Sequence, residues 1–153
     1  MARGSLYYHF GDKGGLFHAV YAEAMDKAVK TVEKAMDAQT NPWDAFIAGS
    51  HAYLDLCMDM AFRKITLIES QAAMSYAERF EVQQRTLLSK LQPLIPQLMR
   101  NGYFPNHTEK TITIFIYGVL GEIGRSFDFS IDLKQDRKDF GHAFETNMAM
   151  LKA

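Results

Sequence analysis

The sequence predicts an all-α fold, and three observations support this prediction. Apolar side chains recur at spacings of three and four along most of the chain, which is the period of an amphipathic helix. Capping residues, prolines and glycines separate these segments. One segment, residues 111–119 (TITIFIYGV), alternates like a strand, but no partner strand is evident and its apolar pattern outlasts an average strand. With 153 residues, 48% of them hydrophobic, the chain can bury one core.

The first long helix is predicted from Lys13 to about Ala38. Its apolar positions, from Leu16 to Ala35, keep the helical spacing, and charged residues lie between them. Asp12 is a suitable N-cap because its carboxylate can accept hydrogen bonds from the free N–H groups of the first turn. The two glycines that follow Lys13 weaken that turn.

The second and third helices are predicted from their caps. Asn41, followed by a proline at the first helical position, begins a helix that ends near Met58. Asp59 then caps a third helix of uncertain length. On that helix we expect Arg63 and Lys64 to point outward, because the apolar residues around them form the opposite stripe.

The second half of the chain carries the fourth helix and its stop signal. This helix is predicted from about Tyr76 to Leu98, and Pro93 and Pro96 should kink it or split its last part. Gly102 is a residue of the C-terminal capping type.

Two closing helices complete the predicted fold. Asn106 and Glu109 have the spacing of a capping box, so a fifth helix is predicted to begin there and to continue to about Phe127. A last helix is predicted from about Lys134 to Leu151.

Composition limits the classes of function. The formal charge of −1 and pI near 6.5 give no overall basic field, so contact with nucleic acid requires a local patch. The single cysteine, Cys57, cannot form an intramolecular disulfide, which favours a reducing compartment. No apolar run approaches the roughly 20 residues of a membrane span, and no secretion signal is evident. We therefore expect a cytoplasmic protein with no membrane partner.

Residues 3–20 (RGSLYYHFGDKGGLFHAV) form the most distinctive motif. Tyrosine hydroxyls, an imidazole and an ammonium group are donors of different reach, and they suit the phosphate oxygens of a DNA backbone. Leu6 and Phe10 face the other way and anchor the short helix.

This motif closely resembles the recognition helix, and the start of the next helix, of TetR-family (TetR/AcrR-like) transcriptional repressors. The resemblance implies phosphate contacts by Tyr7, Tyr8, His9 and Lys13, and contact with base edges near the helix start. The implied DNA-binding residues are Arg3, Gly4, Ser5, Tyr7, Tyr8, His9 and Lys13. It also implies a helix-turn-helix remnant in residues 1–38, followed by a helical ligand-binding and dimerisation bundle in residues 39–153.

The implied function is that of a ligand-responsive repressor. Such a protein binds a palindromic operator in double-stranded DNA as a homodimer, and a small apolar or aromatic effector releases it. The residues expected at the effector cavity are Tyr53, Cys57, Met58, Phe62, Met74, Phe80, Met99, Phe115 and Tyr117. Possible polar partners in it are His51, Gln71, Gln84 and Glu122. The residues expected at the dimer interface are Gly118, Gly121, Gly124, Phe140 and Phe144.

Two alternatives stay open. The helices that precede the recognition helix in that family are not in this sequence, so either residues upstream of Met1 complete the DNA-binding head, or the chain is a truncated helical dimer. Such a dimer would bind small molecules or a partner protein without binding DNA. An enzyme is disfavoured, because the five histidines have no metal-ligand spacing and no Gly-rich loop follows a strand. A lone cysteine on an apolar stripe, Cys57, is usually a buried hydrophobe. No cofactor or metal is expected.

Overall fold

The computed structural model describes residues 12–153, and these residues are mostly helical, with no strand among the elements they form. This confirms the predicted fold class. The α-helices are α1 (Lys13–Asp37), α2 (Pro42–Met58), α3 (Met60–Arg63), α4 (Ser70–Ala73), α5 (Tyr76–Arg85), α6 (Leu87–Leu91), α7 (Leu94–Arg100), α8 (Glu109–Ser126) and α9 (Leu133–Met150). A π-helical segment, Lys64–Glu69, joins α3 to α4, and a 3₁₀ turn, Phe127–Phe129, follows α8.

The predicted caps of the first two helices are confirmed. Oδ1 of Asp12 accepts a hydrogen bond from the backbone N–H of Gly15 over 2.6 Å. Oδ1 of Asn41 accepts from the N–H of Asp44 over 2.9 Å. The glycines of the first turn are thus held by the Asp12 cap, which offsets their low helix propensity.

The third segment differs from its prediction in two ways. Its predicted cap is confirmed, since Oδ1 of Asp59 accepts from the N–H of Phe62 over 2.8 Å. The expectation that Arg63 points outward is wrong, because its side chain is only 8% exposed and donates from Nη1 to the carbonyl of Cys57 and from Nε to Asp128. The segment also widens into a π-helix after Arg63. Lys64, which is 42% exposed, reaches the same Asp128 carboxylate over 2.8 Å.

The predicted fourth helix is three helices, α5, α6 and α7. The chain breaks once at Pro93, as expected, and once at Thr86, which the sequence did not reveal. Thr86 leaves helical geometry with φ −115° and ψ −104°, and its hydroxyl donates to the carbonyl of Val82 over 2.7 Å. Pro96 lies in the first turn of α7, where a missing N–H costs no helical hydrogen bond. Gly102 has φ +90°, which confirms its left-handed capping geometry.

The predicted capping box at Asn106 and Glu109 is wrong. Asn106 lies in the left-handed region with φ +64°, and the N-cap of α8 is Thr108, whose Oγ1 accepts from the N–H of Thr111 over 3.2 Å. A capping box exists instead at the start of α5, between Ser75 and Glu78.

The core surrounds α2, which packs against α1, α8 and α9. Two parallel aromatic rings, of Trp43 at the start of α2 and Tyr103 after α7, stack with centroids 4.4 Å apart. Phe104, at the same end of the bundle, is 1% exposed. Its N–H donates to the carbonyl of Leu151 over 2.9 Å, which ties the segment after α7 to the end of α9. The largest fully buried side chains are Tyr21, Phe46, Phe104, Leu54, Leu88, Ile95, Leu98 and Ile116.

Candidate functional site: a cavity between the first helix and the bundle

A cavity of about 270 Å³, here called the main cavity, lies between α1 and the later helices. Its wall is formed by residues of α1, α2, the π-helical segment, α4, α5, α6 and α8. Its lining residues are Tyr21, Met25, Tyr53, Thr66, Leu67, Gln71, Tyr76, Arg79, Phe80, Gln83, Leu88, Ile114, Tyr117, Gly118, Gly121 and Arg125. The wall is therefore mostly apolar, with a few polar groups that converge on the interior, as in small-molecule sites.

Polar contacts fix the α5 side of the main cavity. Nε2 of Gln83 donates to the hydroxyl of Tyr21 over 3.1 Å, which joins α5 to α1. Nη1 of Arg79 donates to the carbonyls of Met74 over 2.6 Å and of Ser70 over 3.2 Å. These carbonyls belong to the first residue of α4 and to its C-cap, so Arg79 both caps that helix and is held beside the cavity that it lines.

The charges on the wall are of one sign. Arg79 and Arg125 line the cavity, and none of its lining residues is acidic. Nε and Nη2 of Arg125 donate to Oε2 of Glu122, a side chain that is 73% exposed, over 3.0 and 2.7 Å. Within residues 12–153, Arg79 forms no ion pair with a carboxylate. Arg79 is therefore the uncompensated positive charge of this wall.

Three tyrosines of the cavity are held in their neutral form. Burial raises the pKa of Tyr21, Tyr53 and Tyr117, and the neighbouring thiol of Cys57 raises the pKa of Tyr53 further. For Tyr21, the hydrogen bond from Gln83 and the charge of Arg79 oppose the larger effect of burial. All three side chains are therefore neutral phenols at physiological pH, able to donate or accept a hydrogen bond.

A second, smaller cavity of about 50 Å³ adjoins the first at Tyr53 and Tyr117, which line both. Its other walls are largely apolar and come from α1, α2, α6, α7 and α8. Gly49 lies on this wall, close to α1. A larger residue would not fit here without a shift, because an added Cβ would be 2.8 Å from Cγ of Met36.

The structure places the predicted cavity residues in different surroundings. Tyr53, Phe80 and Tyr117 line the main cavity. Cys57 and Met74 are buried in the core, and Met58 and Met99 pack against it, but none of these four lines either cavity. Phe62 lines a separate groove beside α1. Phe115 does not fit the expectation, because half of its side chain is exposed on the outer face of α8.

The proposed polar partners also separate. Gln71 lines the main cavity, whereas Gln84 lines a neighbouring groove. His51 lies between α2 and α9, where it contacts Arg137 and Glu145. Glu122 is on the surface beside Arg125. The expectation of a polar partner in the cavity therefore fits Gln71 alone.

Sequence reasoning missed Tyr21, Arg79 and Gln83 as cavity residues. A signal for two of them existed: Tyr76, Arg79, Phe80 and Gln83 follow the spacing i, i+3, i+4, i+7, which places all four on one face of α5. From the sequence this face of α5 is expected to be exposed to solvent, because Arg79 carries a charge and Gln83 carries an amide. Tyr21 reads as one more apolar residue of the α1 stripe.

The expected interface residues on α8 and α9 also divide. Gly118 and Gly121 lie at the rim of the main cavity, where an added Cβ would meet nothing within 4 Å. Gly124 packs internally instead, since its Cβ would be 2.7 Å from Sγ of Cys57. Phe144 is 3% exposed and its ring lies 5.9 Å from that of Phe46, so this side chain is part of the core of its own chain. Phe140 is 39% exposed. Gly124 and Phe144 are thus unsuited to contact a second copy.

Most of the predicted DNA-binding residues, Arg3, Gly4, Ser5, Tyr7, Tyr8 and His9, lie outside the described residues. Lys13 is the first residue of α1 and is exposed. Among residues 12–153 there is no cluster of three metal-ligating side chains, and no helix there is long and apolar enough to cross a membrane. Burial raises the pKa of the Cys57 thiol to about 12, so this cysteine is not an activated nucleophile.

Solved structures show the same arrangement of helices. A TetR-family transcriptional regulator from Pectobacterium atrosepticum superposes with a TM-score of 0.82 at 26% identity, over 100% of this chain and 78% of that one. FadR, a fatty acid degradation regulator from Bacillus halodurans, superposes with a TM-score of 0.76 at 19% identity, over 95% of this chain and 78% of that one. The fold is therefore that of an all-helical transcriptional regulator.

The chain belongs to the TetR family. Residues 43–150 match the family model described as "Tetracyclin repressor-like, C-terminal domain". This match confirms the resemblance first indicated by residues 3–20. No curated protein matches the sequence significantly.

Proposed function

We propose that this chain is a ligand-responsive repressor that binds a palindromic operator as a homodimer and is released when a small effector with an apolar body fills the main cavity. Transcriptional regulation is the role of its family. Repression, release by an effector and the identity of the operator are the proposal.

One observation carries the proposal: α1 forms part of the cavity wall. Tyr21 and Met25 of α1 face the cavity, and the same helix begins at Lys13, directly after the segment that resembles a DNA-recognition helix. A ligand that favours one position of α1 therefore changes the position of the DNA-binding segment. The size of this effect equals the difference in ligand affinity between the two positions.

We place the boundary between the DNA-binding head and the ligand-binding domain at residues 38 and 39. The family model, which begins at residue 43, supports this division. The α1 helix belongs to both parts, because residues Tyr21, Met25, Ala28 and Val32 are buried in the bundle. The implied operator contacts by Arg3, Gly4, Ser5, Tyr7, Tyr8, His9 and Lys13 remain part of the proposal.

Exposed apolar side chains support dimerisation. Phe115 on α8 is 50% exposed, and Phe140 on α9 is 39% exposed. Between these helices, Phe129 and Ile131 are 85% and 105% exposed. A two-fold contact between copies would remove such side chains from water, and it would set the spacing of two recognition helices.

Selection from a pool of random double-stranded DNA tests the proposal. The purified chain should enrich a near-palindromic sequence, and its affinity for that sequence should fall steeply as salt rises. Sedimentation should show a dimer under the same conditions. A folded dimer that enriches no sequence would overturn the operator-binding part and support the alternative of a helical dimer without DNA binding.

A further inference from the structure

We infer that the main cavity binds an organic anion, a carboxylate with a small apolar body, and that Arg79 is the residue that pairs with the anionic group. This inference rests on the proposed function, because it specifies the chemistry of the effector.

The charge balance of the wall points to an anion. A cavity for a neutral apolar ligand has no need of arginine, since a charged group at the wall loses part of its hydration when the ligand enters. The main cavity nevertheless carries Arg79 and Arg125 and has no acidic lining residue. Glu122 on the surface neutralises Arg125, whereas Arg79 has no carboxylate partner among residues 12–153.

Arg79 is also held in a fixed position. Only Nη1 is used in its contacts with the carbonyls of Ser70 and Met74. Because a guanidinium has five N–H donors in a planar fork, the edge formed by Nε and Nη2 remains suited to the two oxygens of a carboxylate. Two backbone contacts thus orient the group before a ligand arrives, which lowers the entropy cost of pairing.

The other polar groups of the wall suit the same ligand. Gln83, one turn from Arg79, has an amide N–H donor, and the neutral hydroxyls of Tyr21, Tyr53 and Tyr117 are further donors. The apolar walls receive the body of the ligand. Since about 270 Å³ lies just below the roughly 300–1,000 Å³ of sites for drug-sized molecules, the ligand is small.

Calorimetry with two matched probes tests the inference. Octanoate and octanamide have the same chain and differ in charge. The unmodified protein should bind octanoate roughly tenfold or more tightly than octanamide, as expected for one charge-assisted pair. Equal affinities, or no binding of octanoate, would overturn the inference.

Variants on one helix identify the residue. Arg79→Gln should weaken octanoate binding to the level of octanamide and leave octanamide binding unchanged. Arg85→Gln, the same substitution on the same helix at a side chain outside the cavity, should change neither. An unchanged octanoate preference in Arg79→Gln would overturn the role of Arg79. Circular dichroism should confirm that this variant folds, and Arg79→Lys, which keeps the charge, should retain part of the preference.

The outcomes separate this inference from the proposed function. If DNA selection succeeds while octanoate and octanamide bind equally, the repressor stands and its effector is not an anion. If octanoate binds through Arg79 while no DNA sequence is enriched, the ligand site stands and the operator-binding function fails.

Discussion

The hydroxyl of Tyr21 accepts a hydrogen bond from Nε2 of Gln83 over 3.1 Å, and this bond joins α1 to α5 at the wall of the main cavity. An ion pair between Asp26 and Arg85, at 3.0 Å, joins the same two helices, but both of its side chains are half exposed. Such exposed pairs contribute about 0–1 kcal/mol. The Tyr21–Gln83 bond differs because both of its side chains line the main cavity, and we propose that a ligand there contacts them and so links cavity occupancy to the position of α1.

Replacing Tyr21 by phenylalanine should loosen this link. Loss of the hydroxyl leaves the amide of Gln83 without its partner, and the free energy of unfolding should fall by about 1 kcal/mol. Urea denaturation followed by circular dichroism measures the loss. Hydrogen exchange of the α1 amides around Tyr21, with and without octanoate, measures the link itself. Octanoate should slow exchange in the unmodified protein and slow it less in Tyr21→Phe.

The control is Tyr76→Phe, which removes a hydroxyl from another tyrosine of the same cavity. Tyr76 is 67% exposed and has no side-chain hydrogen bond within residues 12–153. The substitution should therefore change the free energy of unfolding of the protein by less than about 0.5 kcal/mol. Equal effects of the two substitutions would show that the Tyr21–Gln83 bond carries no coupling.

Local signals account for the parts of the fold that the sequence predicts. Asp12, Asn41 and Asp59 cap their helices through N–H groups only three residues away, so each motif is complete within one turn. Arg63 could not be placed, because the carboxylate that draws it inward belongs to Asp128, 65 positions later. A sequence pattern read along one helix does not reveal such a partner.

The cavity shows the same division. Tyr53, Phe80 and Tyr117, expected at an effector cavity from the resemblance to the family, line the main cavity. Arg79 was missed because a charge on a polar helix normally faces water. Its position depends on the carbonyls of Ser70 and Met74, and the helical pattern does not show how the turn between α4 and α5 orients them toward this side chain. The resemblance in residues 3–20 predicted the family, but it gives no information about the chemistry of the cavity.

Two glycines of α8 should respond in opposite ways to alanine. An added Cβ at Gly124 would lie 2.7 Å from Sγ of Cys57 and 2.8 Å from Cδ1 of Leu67, so Gly124→Ala should cost about 1–3 kcal/mol in overpacking. At Gly118 nothing lies within 4 Å, and Gly118→Ala should stabilise α8 by up to about 1 kcal/mol through helix propensity. Denaturation at one fixed protein concentration compares them. A stabilising Gly124→Ala would contradict the close packing of α8 on α2.

The proposed dimer should depend on Phe140. Phe140 is 39% exposed in the single chain and its ring lies 6.4 Å from that of the buried Phe127, so Phe140→Glu should place a charge in the contact between copies, and circular dichroism should confirm that the variant folds. Light scattering after gel filtration should then give a mass near the 17.4 kDa of one chain rather than twice that value. Lys138→Glu is the control, an exposed position of the same helix given the same acidic side chain. If Phe140→Glu stays dimeric, the interface lies elsewhere.

Acid should selectively weaken the contact between the π-helical segment and the 3₁₀ turn. Hydrogen bonds from Lys64 and Arg63 lower the pKa of Asp128 below its ordinary value, at 2.8 and 3.1 Å. A carboxylate whose pKa is lowered by folding stabilises the folded state fully above the unfolded pKa of about 3.9, and the stabilisation is lost as pH falls through the folded value. Asp128→Asn should therefore be less stable than the unmodified protein at pH 7.

The difference in unfolding free energy between this variant and the unmodified protein should stay constant down to about pH 5 and then shrink, because the protonated Asp128 resembles asparagine. Urea denaturation from pH 7 to the acid limit of folding measures it. The control is Asp37→Asn, at an exposed carboxylate without an ion pair in the described part of the chain. It should change stability by less than about 0.5 kcal/mol across the range. If the difference in unfolding free energy between Asp128→Asn and the unmodified protein does not depend on pH, the contact is stabilised by packing and neutral hydrogen bonds and not by the charge of Asp128.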